Sequence, residues 1–275
     1  MRIRLLGLVA GIILSVSVFS SVAWSQANQG GAGAAARQGA AKPASAPAPV
    51  RDLTGVWAGP VGANCCAAPP MTELGQKLFA ANHTLIGRAG VAAGLSNDPS
   101  QKCDPSGMPL AVVWNARGMQ FIQAPTKMVQ MYQYQKTWRE IWTDGRPLPK
   151  NAGGDEVNAP DPRYYGYSVG HWEDDYNFVV DTVGMDDRTW VDHVGHPHSN
   201  VLKVQEKYTR MDHDTMQNVV TIDDPKIYTK PYVATTVLWH WNPKQEFEEQ
   251  LCIPSDAQAY MEFIADPAAA AGPKK

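Results

Sequence analysis

The chain lacks a basic surplus. Lysine and arginine number 24 against 27 acidic residues, for a formal net charge of -3. Phosphate backbones are bound by clustered cations, so nucleic acid is excluded as an expected partner. Cysteine is scarce, at four in 275 residues, and no Cys-x-x-Cys pair occurs, which disfavours a structural zinc site. No phosphate-binding loop, no His-Glu-x-x-His and no dinucleotide fingerprint between a strand and a helix is present. Nucleotide use and zincin-type proteolysis are therefore disfavoured, and serine hydrolysis is not expected. Past residue 27 no apolar run is long enough to span a membrane, and no repeat of fixed period appears.

What is present begins with an address. Arg2 and Arg4 precede an apolar run from Leu5 to about Val22, followed by small residues with cleavage points after Ala23 or Ala27. This is the layout of a secretory signal peptide, 1–27. Ser15, Ser17, Ser20 and Ser21 interrupt the run, against the alternative of a retained anchor. The expected location is periplasmic or secreted, with no stable membrane insertion after leader removal. Residues 28–50 are Gly, Ala, Ser and Pro with almost no large apolar group, a composition that cannot offset its ordering entropy. They read as a disordered linker, and 265–275 as a flexible tail. The folded unit is then a single domain over 51–264. Export makes disulfides reasonable for Cys65, Cys66, Cys103 and Cys252. Bonding the neighbours Cys65 and Cys66 to each other would strain the ring. One bridge is expected between the N-terminal loop region and the last strand at Cys252.

Residues 60–118 read as an irregular insert with one helix at about 71–82, N-capped by Thr72. From Met119 the texture changes to short Val/Ile/Tyr/Trp/Thr-rich segments separated by turn residues. Strands are expected at 53–58, 119–124, 128–135, 137–143, 166–172, 177–183, 201–211, 216–222, 232–241 and 246–252. The links at 125–127, 173–176, 212–215 and 242–244 are short, which makes neighbours antiparallel. The fold class is mainly β: an antiparallel up-and-down barrel of about 8–10 strands, closed so that no edge is exposed. In 201–211 one face is Leu202, Val204, Glu206, Tyr208 and Arg210. If it points inward, Glu206 and Arg210 need partners in a polar interior network and are candidate binding residues.

Leu53-Thr54-Gly55-Val56-Trp57 opens the first strand. A Gly-x-Trp at this place resembles the lipocalin and calycin opening, in which the Trp plugs the closed end of the barrel. A second resemblance covers about 51–252 and rests on Cys103-Asp104-Pro105, Trp138 to Pro147, Ser168 to Glu173, Val179 to Gly184, Gly195 to Ser199 and Thr221 to Pro225. Together these strings resemble an exported bacterial β-rich family. That resemblance implies export and a single β-rich domain, and supplies no reaction.

Candidate chemistry concentrates in the loop 186–198, with Asp192, His193, His196 and His198. The three histidines, or two with Asp192, form a candidate metal set, although no cofactor is required and the spacing is not that of a zinc motif. The same residues suit acid–base work, or serve as caps in an exposed loop outside the core. His171, on a strand, would be held rigidly as a base if it faced the barrel interior. Asp181 on the partner strand is expected to pair with His171 or Arg139. Arg146, after the Asp144-Gly145 turn, can clamp an oxyanion. Tyr134 and Trp138, with Tyr132 and Trp142, offer an aromatic lining. Asp224 suits a rim position or a simple strand end, and Tyr228 nearby is a candidate hydrogen-bond donor to a ligand. Two functions follow. One is an exported lipocalin-like barrel that binds a small hydrophobic or aromatic molecule in a polar and aromatic pocket. The other is a cofactor-independent lyase, isomerase or hydrolase with His171, Asp181, His196 or His198 as catalytic groups at the barrel mouth. A structural envelope protein displayed on the linker is a third option. Convergence of His, Asp, Arg and Tyr on one pocket is the discriminating feature.

Overall fold

The computed structural model describes residues 45–59, 67, 69–86, 90–114 and 117–272. Nine strands follow the apolar alternation of the sequence: β1 (Gly55–Ala58), β2 (Gly118–Gln123), β3 (Lys127–Tyr132), β4 (Trp138–Trp142), β5 (Tyr167–Trp172), β6 (Asn177–Val183), β7 (Lys203–Arg210), β8 (Thr215–Asp223) and β9 (Tyr232–Trp241). On β8 every second residue is buried, Met216, Asn218, Val220 and Ile222, as a half-buried strand requires. The strands close in sequence order into a barrel, β9 pairing back onto β1 through Trp57↔Trp241 and Ala58↔His240. Residues 246–252 form no tenth strand, because closure leaves no free edge for them to join.

The barrel is not a pure antiparallel meander. β4 and β5 run parallel, paired at Ile141↔Ser168 and Trp142↔Val169, while the other neighbours are antiparallel. A ring of nine strands cannot alternate direction throughout, so one like-directed pair is obligatory. It falls where the connection, 143–166, is long enough to return along the barrel.

The two ends differ. One carries the short turns 124–126, 173–176 and 211–214. There Trp57 is fully buried, its indole nitrogen donates to Leu53 O at 2.9 Å, and the Arg210 guanidinium lies 4.5 Å over its ring. Arg210 also donates to the carbonyls of Asp52, Asp212 and His213. It is thus a seal at this end, not a ligand contact in an open cup. Gly55 has φ +127°, and a Cβ there would meet Trp241 Nε1 at 2.6 Å, which explains the glycine of the opening motif. Residues 45–50, read as linker, lie against this end, with Ala46 O accepting from His213 N and Ser45 Oγ donating to Asp214.

The opposite end carries the insert and the loops 184–202 and 224–231. In the insert, α1 (Glu73–Ala81) is capped by Thr72 as expected, and α2 (Leu110–Val113) is a single turn. Cys103 is bonded to Cys252, tying the insert to the segment after β9. That segment forms no strand, and Cys65 and Cys66 lie outside the described residues. The tail is helical: α3 (Pro254–Tyr260) continues through a wide turn, Met261–Ala265, into α4 (Asp266–Ala271). No described helix is long and apolar enough to cross a membrane.

The interior is filled by the barrel's own side chains, among them Phe121, Met128, Ile141, Phe178, Val204 and Trp239. Gly170 makes room for this packing, since a Cβ there would sit 2.4 Å from the Phe178 ring. Among these groups lies the polar network that β7 implies. Glu206 is fully buried, and Arg139 Nη2 reaches its two carboxylate oxygens at 2.7 and 2.6 Å. Arg139 has no acceptor, so it fixes the Gln130 amide with Oε1 inward, 2.9 Å from Nε. The amide nitrogen then donates to Tyr208 Oη at 3.0 Å, and Tyr208 donates to Glu206 at 2.5 Å. Burial alone would lower the Arg139 pKa, but the facing Glu206 carboxylate and the Tyr132 and Tyr208 phenols raise it.

Candidate functional site

A pocket of about 300 Å³ lies at the long-loop end, lined by Tyr132, Tyr134, Tyr165 and Trp114, by Leu110 and Ala111 of α2, and by His193 and Arg117. Three parts of the chain build it: the β3–β4 hairpin, the start of β5, and the insert with loop 184–202. The Tyr165 hydroxyl donates to Thr137 at 2.9 Å and its ring stacks on Tyr132, 6.1 Å between centroids. Burial raises the pKa of Tyr134 and of Tyr165, so both phenols stay protonated. Tyr132 joins the pocket to the interior network, since its hydroxyl donates to Gln130 Oε1 at 2.8 Å.

His193 is the imidazole of this pocket. Its Nδ1 is 3.1 Å from Oδ2 of Asp98, and its ring meets Trp114 edge-on at 5.4 Å. Asp98 precedes the 3-10 turn Pro99–Lys102 as N-cap, accepting from Ser100 N at 2.9 Å and Ser100 Oγ at 2.7 Å. Burial would raise the Asp98 pKa. The bonds from His193 and Ser100 outweigh it and hold the carboxyl below its ordinary value. An ionised carboxylate only accepts, so Nδ1 carries a proton toward Asp98, and Nε2 is the ring nitrogen turned away from it. Asp98 was not a sequence candidate. It stands 95 residues before His193, in a segment with no periodic pattern.

The other loop histidines have separate partners. His196 Nδ1 is 2.6 Å from Asp192 Oδ2, and its ring stacks on Phe79 of α1 at 4.9 Å. His198 Nε2 is 2.8 Å from Thr189 Oγ1 and Nδ1 is 3.2 Å from Ser199 O. Burial lowers the His198 pKa. The loop is therefore not an exposed appendage: Val191, Asp192, His196 and His198 are buried beneath the insert. Because His193, His196 and His198 each turn to a different group, they do not converge as the candidate metal set. Among the described residues no three His, Cys, Asp or Glu side chains gather to hold a metal.

The remaining candidates are dispersed. His171 is exposed on the outer face of β5, because Ser168 and Gly170 take the inward positions. Asp181 lies on the outer face of β6 and accepts from Gln205 Nε2 at 2.9 Å, not from His171 or Arg139. The expected interior His171–Asp181 pair is thus not formed. Tyr228 is buried and donates to Pro197 O at 2.8 Å, and Asp224 accepts from Ser199 N and Oγ, so both staple loops. Trp138 is exposed outside the barrel, because the turn 133–137 reverses the face shared with Tyr132. Arg146 is on the same outer side, bonded twice to Asp144 and 3.5 Å over the Trp142 ring.

The expectation against serine hydrolysis has to rest on geometry, because Gly166-Tyr167-Ser168-Val169-Gly170 does carry Gly-x-Ser-x-Gly spacing. The functional elbow is a strand-to-helix turn that exposes its serine. Here the string enters and runs along β5. Ser168 Oγ is buried, 2.9 Å from Thr182 Oγ1 and 3.3 Å from Arg139 Nη1. No histidine bonds it among the described residues.

Comparison with known proteins gives no relative: no family model, no curated protein and no solved structure matches the chain.

Proposed function

We propose that this chain is an exported, lipocalin-like barrel that binds a small aromatic molecule in the Trp114/Tyr134/Tyr165 pocket, with His193 as its polar anchor. The observation that carries the reading is His193, oriented by the buried Asp98 on the wall of an aromatic cavity. A pocket of about 300 Å³ is at the small end of ligand sites. One or two rings with a hydrogen-bond donor aimed at Nε2 fit it. The site lies at the barrel end and not in its interior, which side chains fill. The apolar signal and the Gly-x-Trp seal support export and the lipocalin-like comparison.

Proton transfer is a second reading, favoured by the Asp98–His193 bond itself. A carboxylate that fixes Nδ1–H and leaves Nε2 free is the arrangement of a general base. The reaction class is a cofactor-independent isomerisation or lyase step on a bound ring compound. The test is ligand screening in D2O with mass and NMR readout, using wild type, His193→Gln and Asp98→Asn. Binding is expected to weaken up to about tenfold in His193→Gln, the order of one lost hydrogen bond. Deuterium incorporation into a carbon of the ligand, lost in His193→Gln, supports catalysis. Binding indifferent to both substitutions overturns the assignment.

A further inference from the structure

A second site lies outside the barrel. The outward row of β4, Trp138, Glu140 and Trp142, runs beside the parallel strand β5 and under the connection 143–166. Two adjoining lobes of about 470 and 490 Å³ share Glu140, Trp142, Arg163 and Ser168. From Trp138 to Trp142 the strand covers about 13 Å at ~3.3 Å per residue. The groove is therefore longer than one small ring.

Its chemistry is specific. Trp138 is 56% exposed. A large indole left in water on a sheet face is a stacking platform of the kind found at interfaces. Arg163 belongs to both lobes, and its guanidinium lies 4.1 Å over the Tyr167 ring. Its backbone is fixed, with N donating to Gly184 O while its O accepts from Gly166 and Asp186. Arg163 makes no ion pair among the described residues. The other charged groups of the groove are already neutralised: Glu140 by Lys127, Arg146 by Asp144 and Arg139 by Glu206. A flat, preorganised guanidinium with its edge free is matched by a carboxylate. Glu140, on the outward row, offers a carboxylate acceptor for hydroxyl groups along the floor.

We propose that this groove binds an acidic oligosaccharide, with a uronate carboxylate on Arg163 and a sugar ring against Trp138. A neutral aromatic molecule would leave Arg163 unmatched and would occupy one lobe only. A peptide carrying a single acidic side chain offers no ring hydroxyls to Glu140.

The test is calorimetric titration of the full-length mature protein with trimers of galacturonate, mannuronate and guluronate, and with the methyl ester of the best binder. At least one acidic trimer is expected to bind, and its ester at least tenfold more weakly. Added salt should weaken the acid and not the ester. Arg163→Gln should abolish the preference for acid over ester. Trp138→Ala should weaken acid and ester alike. Both side chains are exposed, so both variants should keep the wild-type melting temperature. His193→Gln should bind the trimers normally, which separates this site from the aromatic pocket. Failure of every trimer, equal affinity for acid and ester, or unchanged binding in both groove variants overturns the proposal. So does self-association through Trp138 that competes with the sugar.

Discussion

At the residue scale, buried polar groups carry the most testable consequences. His198 is buried between Thr189 and Ser199, and burial lowers its pKa despite the neighbouring Asp224, Asp187 and Asp186. A histidine depressed in the folded state binds fewer protons there than in the unfolded chain. Its contribution to stability is present above the ordinary histidine value of about 6.5 and is lost as pH falls through it. Urea unfolding between pH 7.5 and 5 should show stability falling toward acid. His198→Asn should flatten that slope, and an unchanged slope would contradict the assignment. Depressed carboxyls such as Asp98 and Asp186 act in the same direction but only at lower pH, below about 4.

The Arg139–Glu206 pair gives a second residue-scale prediction. Removing one partner strands a charge in the filled interior. Glu206→Gln should cost about 3–5 kcal/mol. The double replacement Arg139→Met with Glu206→Leu should cost less than either single change, because buried pairs rarely outperform apolar groups of equal volume. Chemical denaturation of the three variants checks this. Additive losses would mean that the two groups do not couple and would contradict this reading.

At the scale of elements, the strands were legible because their signal is local. The alternation in 201–211 predicts Val204, Glu206, Tyr208 and Arg210 on one face, and all four are buried. Thr72 as helix cap and the short turns were legible for the same reason. The parallel β4–β5 pair was not, since strand direction is set by ring closure and by where 143–166 travels. The burial of loop 184–202 was equally hidden. It depends on Phe79, Asp98, Trp114 and Met108, which come from an insert without periodicity and contact the loop only in three dimensions. The candidate pocket was half legible: His193 and Tyr134 stood out by residue type, whereas Asp98 and Trp114 had no local signal.

The disulfide is the element that holds this insert in place. Cys103 and Cys252 are separated by 149 residues. Closing a loop of that length stabilises by about 4–5 kcal/mol in the chain-entropy view, and measured values for disulfides are often about 2–4 kcal/mol. Cys103→Ala with Cys252→Ala should therefore lower stability by a few kcal/mol. It should also speed proteolysis in residues 90–114 before the barrel strands. Equal protection of insert and strands would mean that packing alone retains the insert.

At the scale of the whole molecule, the barrel is a rigid frame with unequal ends. Trp57 and Arg210 seal one end, and the interior is packed. The aromatic pocket is therefore found at the long-loop end, where strands, insert and loop meet. This division explains why the sequence candidates scatter: many of them staple loops or fill the frame, while His193 and Tyr134 reach the pocket. The central claim is that the pocket holds a small aromatic molecule. The most direct measurement is native mass spectrometry of the protein purified from the cells that make it, beside Ala111→Trp, which fills the pocket from α2. The account predicts one ring-bearing molecule per wild-type chain and none on Ala111→Trp. A molecule retained equally by a folded Ala111→Trp, or a wild-type chain that is bare and takes up no aromatic compound on screening, would contradict it.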